Sequence, residues 1–466
     1  LAANQHSVIY PNAPAGLLFR GDPGVPEDGV RATYKNFMPR VGFALDVFGD
    51  GRTSLRGGGG LFYDTRSDGL FNNAWIGSTP FSTSVSLSNV NFSNPYTTIP
   101  NPFPAPFPPN KNTTFVSPFP VITFDPSGNF QVPLTYAYNL AAEQQMTSSL
   151  SFRLAYVGVH ASHVFTSPEI NPAVYCTGAT VPNSTVPCNI KNVDARRYYN
   201  AYNNPTGLTQ YSTISLTNMG GNSTFNSFQA TLRNRFKYGI SGAINYTWSK
   251  SIDNVPTGTA VTSAGAGISY VKPWYLPNWK ELDRGPSDFD HRNIVSIHYV
   301  WLLPGVHGFN SVMRYVVNGW QTNGIFSFRS GDPLSVMAGK DISGTGINRD
   351  VPLQVGPAYV RNACGTVILC SPWLSQQGFA NPAAGTFGNV KKGSFVGPQY
   401  VDWDASLARN FPIHESVALQ FRAEYFNVLN HTNLQDPNVN FSSSSFGRIT
   451  GASDPRIAQL ALKLAF

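Results

Sequence analysis

The spacing of its strand-like segments constrains this chain more than any single motif does. Segments of roughly 9–11 residues alternate apolar and polar side chains, the period of a β-strand and the length of one tilted across a bilayer. The connections between them alternate as well. FGDGR (48–52), TSS (147–149) and KYG (237–239) read as tight turns, NFPIHES (410–416) as a slightly longer one, and Leu302–Gly319 as a longer link that breaks the trend. Between these hairpins lie long stretches at about 64–134, 160–224, 250–291, 331–400 and 428–455. Structureless loops of that length are rare in compact domains. Transmembrane β-barrels instead pair short turns on the periplasmic side with long loops outside. On that plan the last strand descends and Phe466 lies at the periplasmic edge.

The alternation is explicit in VALQFRAEYFN. Val417, Leu419, Phe421, Ala423 and Tyr425 share one face, and Ala418, Gln420, Arg422 and Glu424 the other. FQATLRNRF (228–236) and ISGAINYTW (240–248) repeat the pattern. Further strands are expected at Val41–Val47, Ser54–Tyr63, Thr135–Met146, Leu150–Val159, Arg292–Trp301, Trp320–Ser330, Val401–Arg409 and Ile457–Phe466, about eleven in all. The expected fold class is all-β, an antiparallel transmembrane barrel with long extracellular loops and short periplasmic turns.

Composition agrees. Charged residues are 12% of the chain, about half the usual share, and aromatics are 13%. No apolar run approaches the roughly 18 residues of a spanning helix. A large extracellular β-protein has similar statistics and stays open at this point. The net charge of +7 is spread without a basic run or a nucleic-acid motif, which argues against a nucleic-acid partner. No leader is visible before Leu1, so either one was removed or the chain starts inside a longer protein. Cys176 and Cys188 form one close pair and Cys364 and Cys370 another, neither with zinc-site spacing. Two short disulfide loops in an oxidising compartment are expected, each adding about 2–3 kcal/mol, with free thiols as the alternative. NPYTTIPNPFPAPFPPN (94–110) reads as a stiff, extended loop.

The chemistry-bearing clusters mostly read as structural. ELDRGPSDFDHRN gathers Asp283, Asp288, Asp290 and His291, which suits a metal or acid–base site but equally a loop returning into a barrel with its carboxylates on backbone amides. DISGTGINRD places Asp341 and Asp350 among glycines, a weak calcium candidate that lacks the Glu of an EF-hand. No other metal site and no cofactor site is expected. The GGGG run at 57–60 lacks the GK[ST] of a phosphate loop and sits within a strand, marking a bend or a close backbone approach. No GxSxG or triad pattern is present, so an enzyme is not expected. Function is better sought on the polar faces of the strands. Alternation points Arg153, Arg233, Arg235, Asp402, Asp404, Gln420, Arg422, Glu424 and Lys463 into a lumen, because a charge facing lipid at mid-membrane costs about 2–4 kcal/mol. They would contact a plug or a solute, or bridge one another in a hydrated lumen. Tyr246, Trp248, Tyr299, Trp301, Trp403 and Tyr425 are expected outward, as interfacial girdles.

Several stretches occur together and in order: FMPRVGFALDVFGDGRTSLRGGGGLFYD (37–64), NYTWSKSID (245–253), GPSDFDHRN (285–293), NGWQTNGIFSFRSGDPLSV (318–336), VDWDASLARNFPIHESVALQFRAEYFNVLNHTN (401–433) and FGRITGASDPRIAQLALKLAF (446–466). From about Gln5 to Phe466 the chain resembles the C-terminal barrel of TonB-dependent outer-membrane receptors, especially the Oar-like group frequent in Acidobacteria. The resemblance implies a gated importer in a Gram-negative outer membrane: a barrel of about 22 strands, a plug filling it, and a TonB box coupling it to inner-membrane energy. This chain shows no candidate plug, TonB box or N-terminal carboxypeptidase-regulatory-like domain. It therefore reads as the last half of such a barrel, with 1–39 an extracellular loop region after a missing strand and 40–466 the C-terminal barrel portion. Val41–Val47 and Ile457–Phe466 would then be edges awaiting the missing strands. The implied function is energy-coupled uptake of an oligosaccharide, a metal chelate or a peptide. The implied partners are outer-membrane lipid, the missing plug and N-terminal strands, TonB through that region, and the barrel assembly machinery. A passive porin-like channel, or a surface barrel with adhesive or secretion-related loops, is the alternative. Leu460, Leu462, Leu464 and Phe466 would face lipid, and the final aromatic resembles the signal that the assembly machinery reads.

Overall fold

The computed structural model describes residues 5–25, 27, 35–64, 80–81, 91, 93–97, 109–115, 117–124, 131–188, 191–202, 209–256, 269–308, 310–360, 372–414 and 417–466. At its centre is one sheet in which eleven strands follow one another in chain order. They are β1 (Arg40–Asp46), β2 (Thr53–Tyr63), β3 (Leu134–Gln145), β4 (Leu150–Thr166), β5 (Tyr211–Lys237), β6 (Ile240–Asp253), β7 (Asn293–Leu302), β8 (Trp320–Arg329), β9 (Tyr400–His414), β10 (Val417–Phe426) and β11 (Ile457–Ala465). Every neighbouring pair is antiparallel. All eleven expected strands are present. β1 and β11 each pair on one side only, so among the described residues the sheet does not close.

The expected boundaries fail in four places, each for a physical reason. β6 continues past Trp248 to Asp253 because the extended β5 pairs with it as far as Ser223. β4 runs on to Thr166, and β5 is 27 residues long instead of nine. Its first half, STISLTNMGGNST, alternates only briefly, at Ile214 and Leu216, before a run of amides, hydroxyls and a Gly-Gly pair, too short a pattern to mark a strand. An antiparallel hairpin with a solvated face needs no continuous apolar stripe to persist. β9 continues through His414, which absorbs most of the loop expected at 410–416. Pro412 is tolerated there because the ladder bulges between Pro412 and His414. The link from Leu303 to Gly319 contains a short helix, Ser311–Val317, whose N-cap Asn310 accepts the Met313 amide at 2.9 Å. At the β5–β6 hairpin both turn residues, Tyr238 and Gly239, have positive φ, which matches the turn's twist to the strands.

The described parts of the long connections are not structureless. Those after β6, β8 and β10 fold together around a core that includes Val271, Leu282, Val336, Leu374, Phe379 and Phe446. Phe379 meets Phe395 at 5.4 Å and Phe446 at 5.5 Å, both edge to face. A second cluster joins the start of the chain, through Tyr10 and Ala13, to Phe115, Val121, Tyr211 and Ile214 at the same end. Residues 5–25 thus pack against the long connections at this end of the sheet.

Candidate functional site

Directly opposed residues in an antiparallel ladder point to the same side. The register can therefore be followed from strand to strand. Ser54, opposite Glu143, starts one chain of pairs: Glu143 with Arg153, Arg153 with Thr231, Thr231 with Asn245, Asn245 with Ser296, and Ser296 with Ser327. Ser327 opposes Asp402, and on β9 Ser406, two pleats further, opposes Glu424, which opposes Gln459. Arg233, Asp404, Gln420, Arg422 and Lys463 lie at even spacings on this same side, Gln420 facing Lys463. Arg235 sits just past the last regular β5–β6 pair, at a bulge, and lines the same cleft as Arg233. One face thus carries the lumen candidates.

These side chains interact in the plane of the sheet. Arg422 reaches Glu424 at 3.4 Å and donates to Gln420 at 3.3 Å; Gln420 donates to Asn410 at 3.0 Å. Ser406 donates to Asn323 at 2.6 Å. The face opens into a cleft of about 670 Å³ whose lining includes Arg233, His298, Asn323, Asp404, Ser406 and Glu424. Cations, carboxylates, amides and a hydroxyl line one surface, which suits hydrogen bonding to a polar partner.

The opposite face is apolar. Phe43, Leu55, Leu140, Leu154, Leu232, Ile244, Ile297, Phe326, Leu407, Phe421 and Leu462 share it by the same register. So do Tyr246, Trp248, Tyr299, Trp301, Trp403 and Tyr425. Leu460, Leu464 and Phe466 are exposed, the first two flanking Leu462. On β6, Ile240 opposes Trp301 at the turn end, and Trp248 lies eight residues further on. Eight residues span about 26 Å along a strand, or about 20 Å of height at a tilt of ~40°, close to the ~25 Å apolar band of a membrane barrel. Gly57 lies on this face because Phe43 covers it: an added Cβ would come within 2.6 Å of that ring. The GGGG run therefore makes room for an adjacent strand's side chain.

At the loop end the acidic cluster disperses. Asp283 accepts the Val271 amide at 2.8 Å and lies 3.9 Å from Arg349; burial pushes its carboxyl up to about 6. Asp288 lies 3.6 Å from Lys392, and Asp290 lies 3.4 Å from Lys250. His291 contacts the Ser330 carbonyl at 2.9 Å and Asp332 at 3.4 Å. Each group is committed to its own partner, so the cluster ties loops together. Asp341 accepts the Thr345 and Gly346 amides at 3.1 and 2.9 Å, and Asp350 accepts the Ser343 amide at 2.6 Å. Both carboxylates close their own turn, and among the described residues no three His, Cys, Asp or Glu side chains gather as a metal site. Cys176 and Cys188 are joined as a disulfide with Cα atoms 5.9 Å apart; Cys364 and Cys370 lie outside the described residues, as does most of 94–110.

Three charged residues that the residue pattern did not single out turn out to organise the structure. Lys392 is buried, bonds Asp253 at 2.6 Å and donates to the Val255 carbonyl at 2.8 Å, joining the loop after β8 to the end of β6. Glu169 is buried and accepts the Asn171 and Ile214 amides at 2.7 and 2.9 Å; burial pushes its carboxyl up to about 7. Arg409 lies on the apolar face, opposite Trp320 and Phe421. KKGS and SPEI carry no signal for the first two, since Asp253 lies far from Lys392 in sequence and Ile214 far from Glu169. Strict alternation from Val401 does place Arg409 outward.

The sequence model of a family described as "Outer membrane beta barrel domain" matches residues 2–459. No curated protein matches the chain. Among solved structures it is similar to the outer membrane transporter YddB from Escherichia coli, with 13% identity, a TM-score of 0.46, and coverage of 92% of this chain and 41% of that one. The ferripyoverdine receptor of the outer membrane of Pseudomonas aeruginosa matches at 10% identity and TM-score 0.40, covering 92% and 32%. The siderophore receptor PirA from Acinetobacter baumannii matches at 11% and 0.38, covering 92% and 41%. The chain spans less than half the length of each of these.

Proposed function

This chain belongs to the outer membrane beta barrel domain family, and on that premise we propose that it forms the C-terminal portion of a TonB-dependent receptor barrel importing a polar solute. The observation that carries this reading is the segregation of the two faces across eleven consecutive strands, lumen candidates on one and aromatic and aliphatic residues on the other. Such a sheet is stable only with its apolar face in lipid and its polar face around water or a plug. The ordered motifs from FMPRVGFALDVFGDGR to the terminal LALKLAF support the TonB-dependent assignment over other barrels.

The open edges support the remainder of the proposal. β1 and β11 are both odd in an antiparallel order, so they run in the same direction. Two such sheets joined edge to edge with their loop ends on the same side would make parallel seams, whereas an odd number of further strands closes the barrel antiparallel throughout, at an even total. Residues 40–466 supply one arc of the wall, 1–39 belong to its loop end, and the closing strands, plug and TonB box are supplied from outside these residues. The lumen candidates then face the plug or the passing solute. An oligosaccharide, a metal chelate and a peptide all fit the mixed hydrogen-bonding surface around Arg233, Asp404 and Glu424. The loop end faces outward, and the turn end, with Phe466, faces the periplasm.

Liposome swelling tests the reading. The full-length protein, reconstituted and exposed to a size ladder of neutral oligosaccharides, should give no swelling above empty liposomes, and should crosslink to the periplasmic domain of TonB. Swelling rates that fall steadily with solute size, with no TonB crosslink, would establish a passive channel instead.

A further inference from the structure

Among the described residues, the link between β7 and β8 is the one turn-end connection that is neither tight nor polar. Its helix, Ser311–Val317, buries none of its residues. Val312 is 73% exposed, Val316 50% and Met313 45%. At 100° per residue, Val312, Met313, Val316 and Val317 share one side, with Ser311 and Arg314 on the other. An isolated seven-residue helix is unstable in water, and an exposed aliphatic side facing water has no compensation.

This helix is fastened to the apolar face of the sheet. The Tyr315 hydroxyl donates to the Pro412 carbonyl at 2.7 Å, and the Trp320 indole donates to the Val316 carbonyl at 3.0 Å. Arg409 donates to the carbonyls of Tyr315 and Val316, groups of the last turn that have no partner within a helix. Its guanidinium lies 4.3 Å from the Phe411 ring centroid and 5.5 Å from that of Tyr315. Trp320, Arg409, Phe411 and Phe421 all belong to the lipid side of the register. An arginine there is tolerated because it sits at the turn end, where a lipid-facing charge costs little, and because its donors meet carbonyls and rings.

We propose that Ser311–Val317 lies in the boundary between headgroups and acyl chains of the leaflet at the turn end, with phospholipid covering Val312, Met313, Val316 and Val317. The occupant follows from continuity: the exposed side of the helix extends the lipid-facing surface through Trp320 and Phe411, at the level of the Trp301 girdle. Arg409 is the positioning residue that holds the helix against the wall. A helix of this kind lies in the interface plane with its apolar side about 5–10 Å into the headgroup and acyl boundary. The inference rests on the reading that the apolar face meets lipid.

The test is depth-dependent quenching. Val312→Cys and, as a wall control, Leu140→Cys are labelled with a small fluorophore in the full-length protein in phospholipid nanodiscs, with labelled wild-type protein as blank. Leu140 is exposed on the apolar face midway along β3. The Val312 label should lose at least about half its emission in lipids brominated near the top of the acyl chain. It should lose less with deep bromines, and iodide should quench it weakly; the Leu140 label should favour deep bromines. A Val312 label quenched by iodide and by no brominated lipid, with Leu140 still quenched by bromine, overturns the helix placement alone. If neither label senses bromine, the membrane orientation of the sheet itself is wrong. Arg409→Ala should raise iodide quenching at Val312 several-fold, and Arg409→Lys less; equal quenching in wild type and Arg409→Ala removes the positioning role.

Discussion

Lys392 offers the sharpest test of how the loop end is held. It is 6% exposed, contacts Asp253 at 2.6 Å and the Val255 carbonyl at 2.8 Å, and approaches Asp288 at 3.6 Å. Replacing it with Met preserves the aliphatic stem and removes the charge. Asp253 is then left buried with one donor, the Val255 amide at 3.0 Å. Breaking one side of a buried pair costs about 3–5 kcal/mol, chiefly as the penalty of the stranded charge. At about 1.4 kcal/mol per tenfold, local opening should become roughly a hundred to several thousand times more frequent. Hydrogen exchange of the protein in nanodiscs reads this at three amides: Val255, Lys392 (bonded to the Leu282 carbonyl) and Gly393 (bonded to Ser335). Amides in the middle of β10 serve as the reference, since β10 contributes no residue to the loop core. Lys392→Met should accelerate the three loop amides by that factor and leave β10 unchanged. Adding Asp253→Asn should recover most of the loss, because Asn still accepts the Val255 amide and no charge remains stranded. A rise below tenfold, or no recovery in the double variant, refutes the argument that this pair locks the loops.

Three further outcomes follow from the same structure. Glu169 titrates near 7 when folded and near 4.5 when free; the folded form therefore holds the extra proton between those values. The contribution of Glu169 to the stability of the surrounding loops is full below about pH 4.5 and is lost as pH rises to 7, by roughly 3 kcal/mol at most; Glu169→Gln should remove that component of the slope in exchange measured between pH 5 and 8. Replacing Cys176 and Cys188 together with Ser should destabilise the segment between them by about 2–3 kcal/mol, read as faster proteolytic nicking between β4 and β5 with the wall intact. Gly242→Val should lower the fraction of heat-modifiable folded barrel, because a Cβ there would lie 2.4 Å from the His298 carbonyl on the adjacent strand; overpacking of this kind costs about 1–3 kcal/mol, and an unchanged fraction would refute it.

The wall was legible in the residue order because its information is local. A strand facing lipid on one side and water on the other must alternate, and neighbours two residues apart reveal the face without any knowledge of the partner strand. Arg153, Asp402, Gln420, Glu424 and Lys463 were placed on one side by that rule alone, and the register puts them together. The number of strands and the terminal LALKLAF pattern were readable for the same reason.

The loop end was not readable, because its stability is built from contacts between residues far apart in the chain. Lys392 and Asp253 are separated by 139 residues, and nothing near either announces the other. The upper half of β5 has apolar alternation only around Ile214 and Leu216, too short to mark a strand, and its pairing with Phe119–Phe124 over 211–217, with β4 from Asn218 and with β6 from Ser223 makes it one. Arg409 shows the boundary between the two kinds of information. Alternation alone determines that it points outward, where a bare charge would be costly. Only the tertiary structure brings the helix carbonyls of Tyr315 and Val316 to meet it.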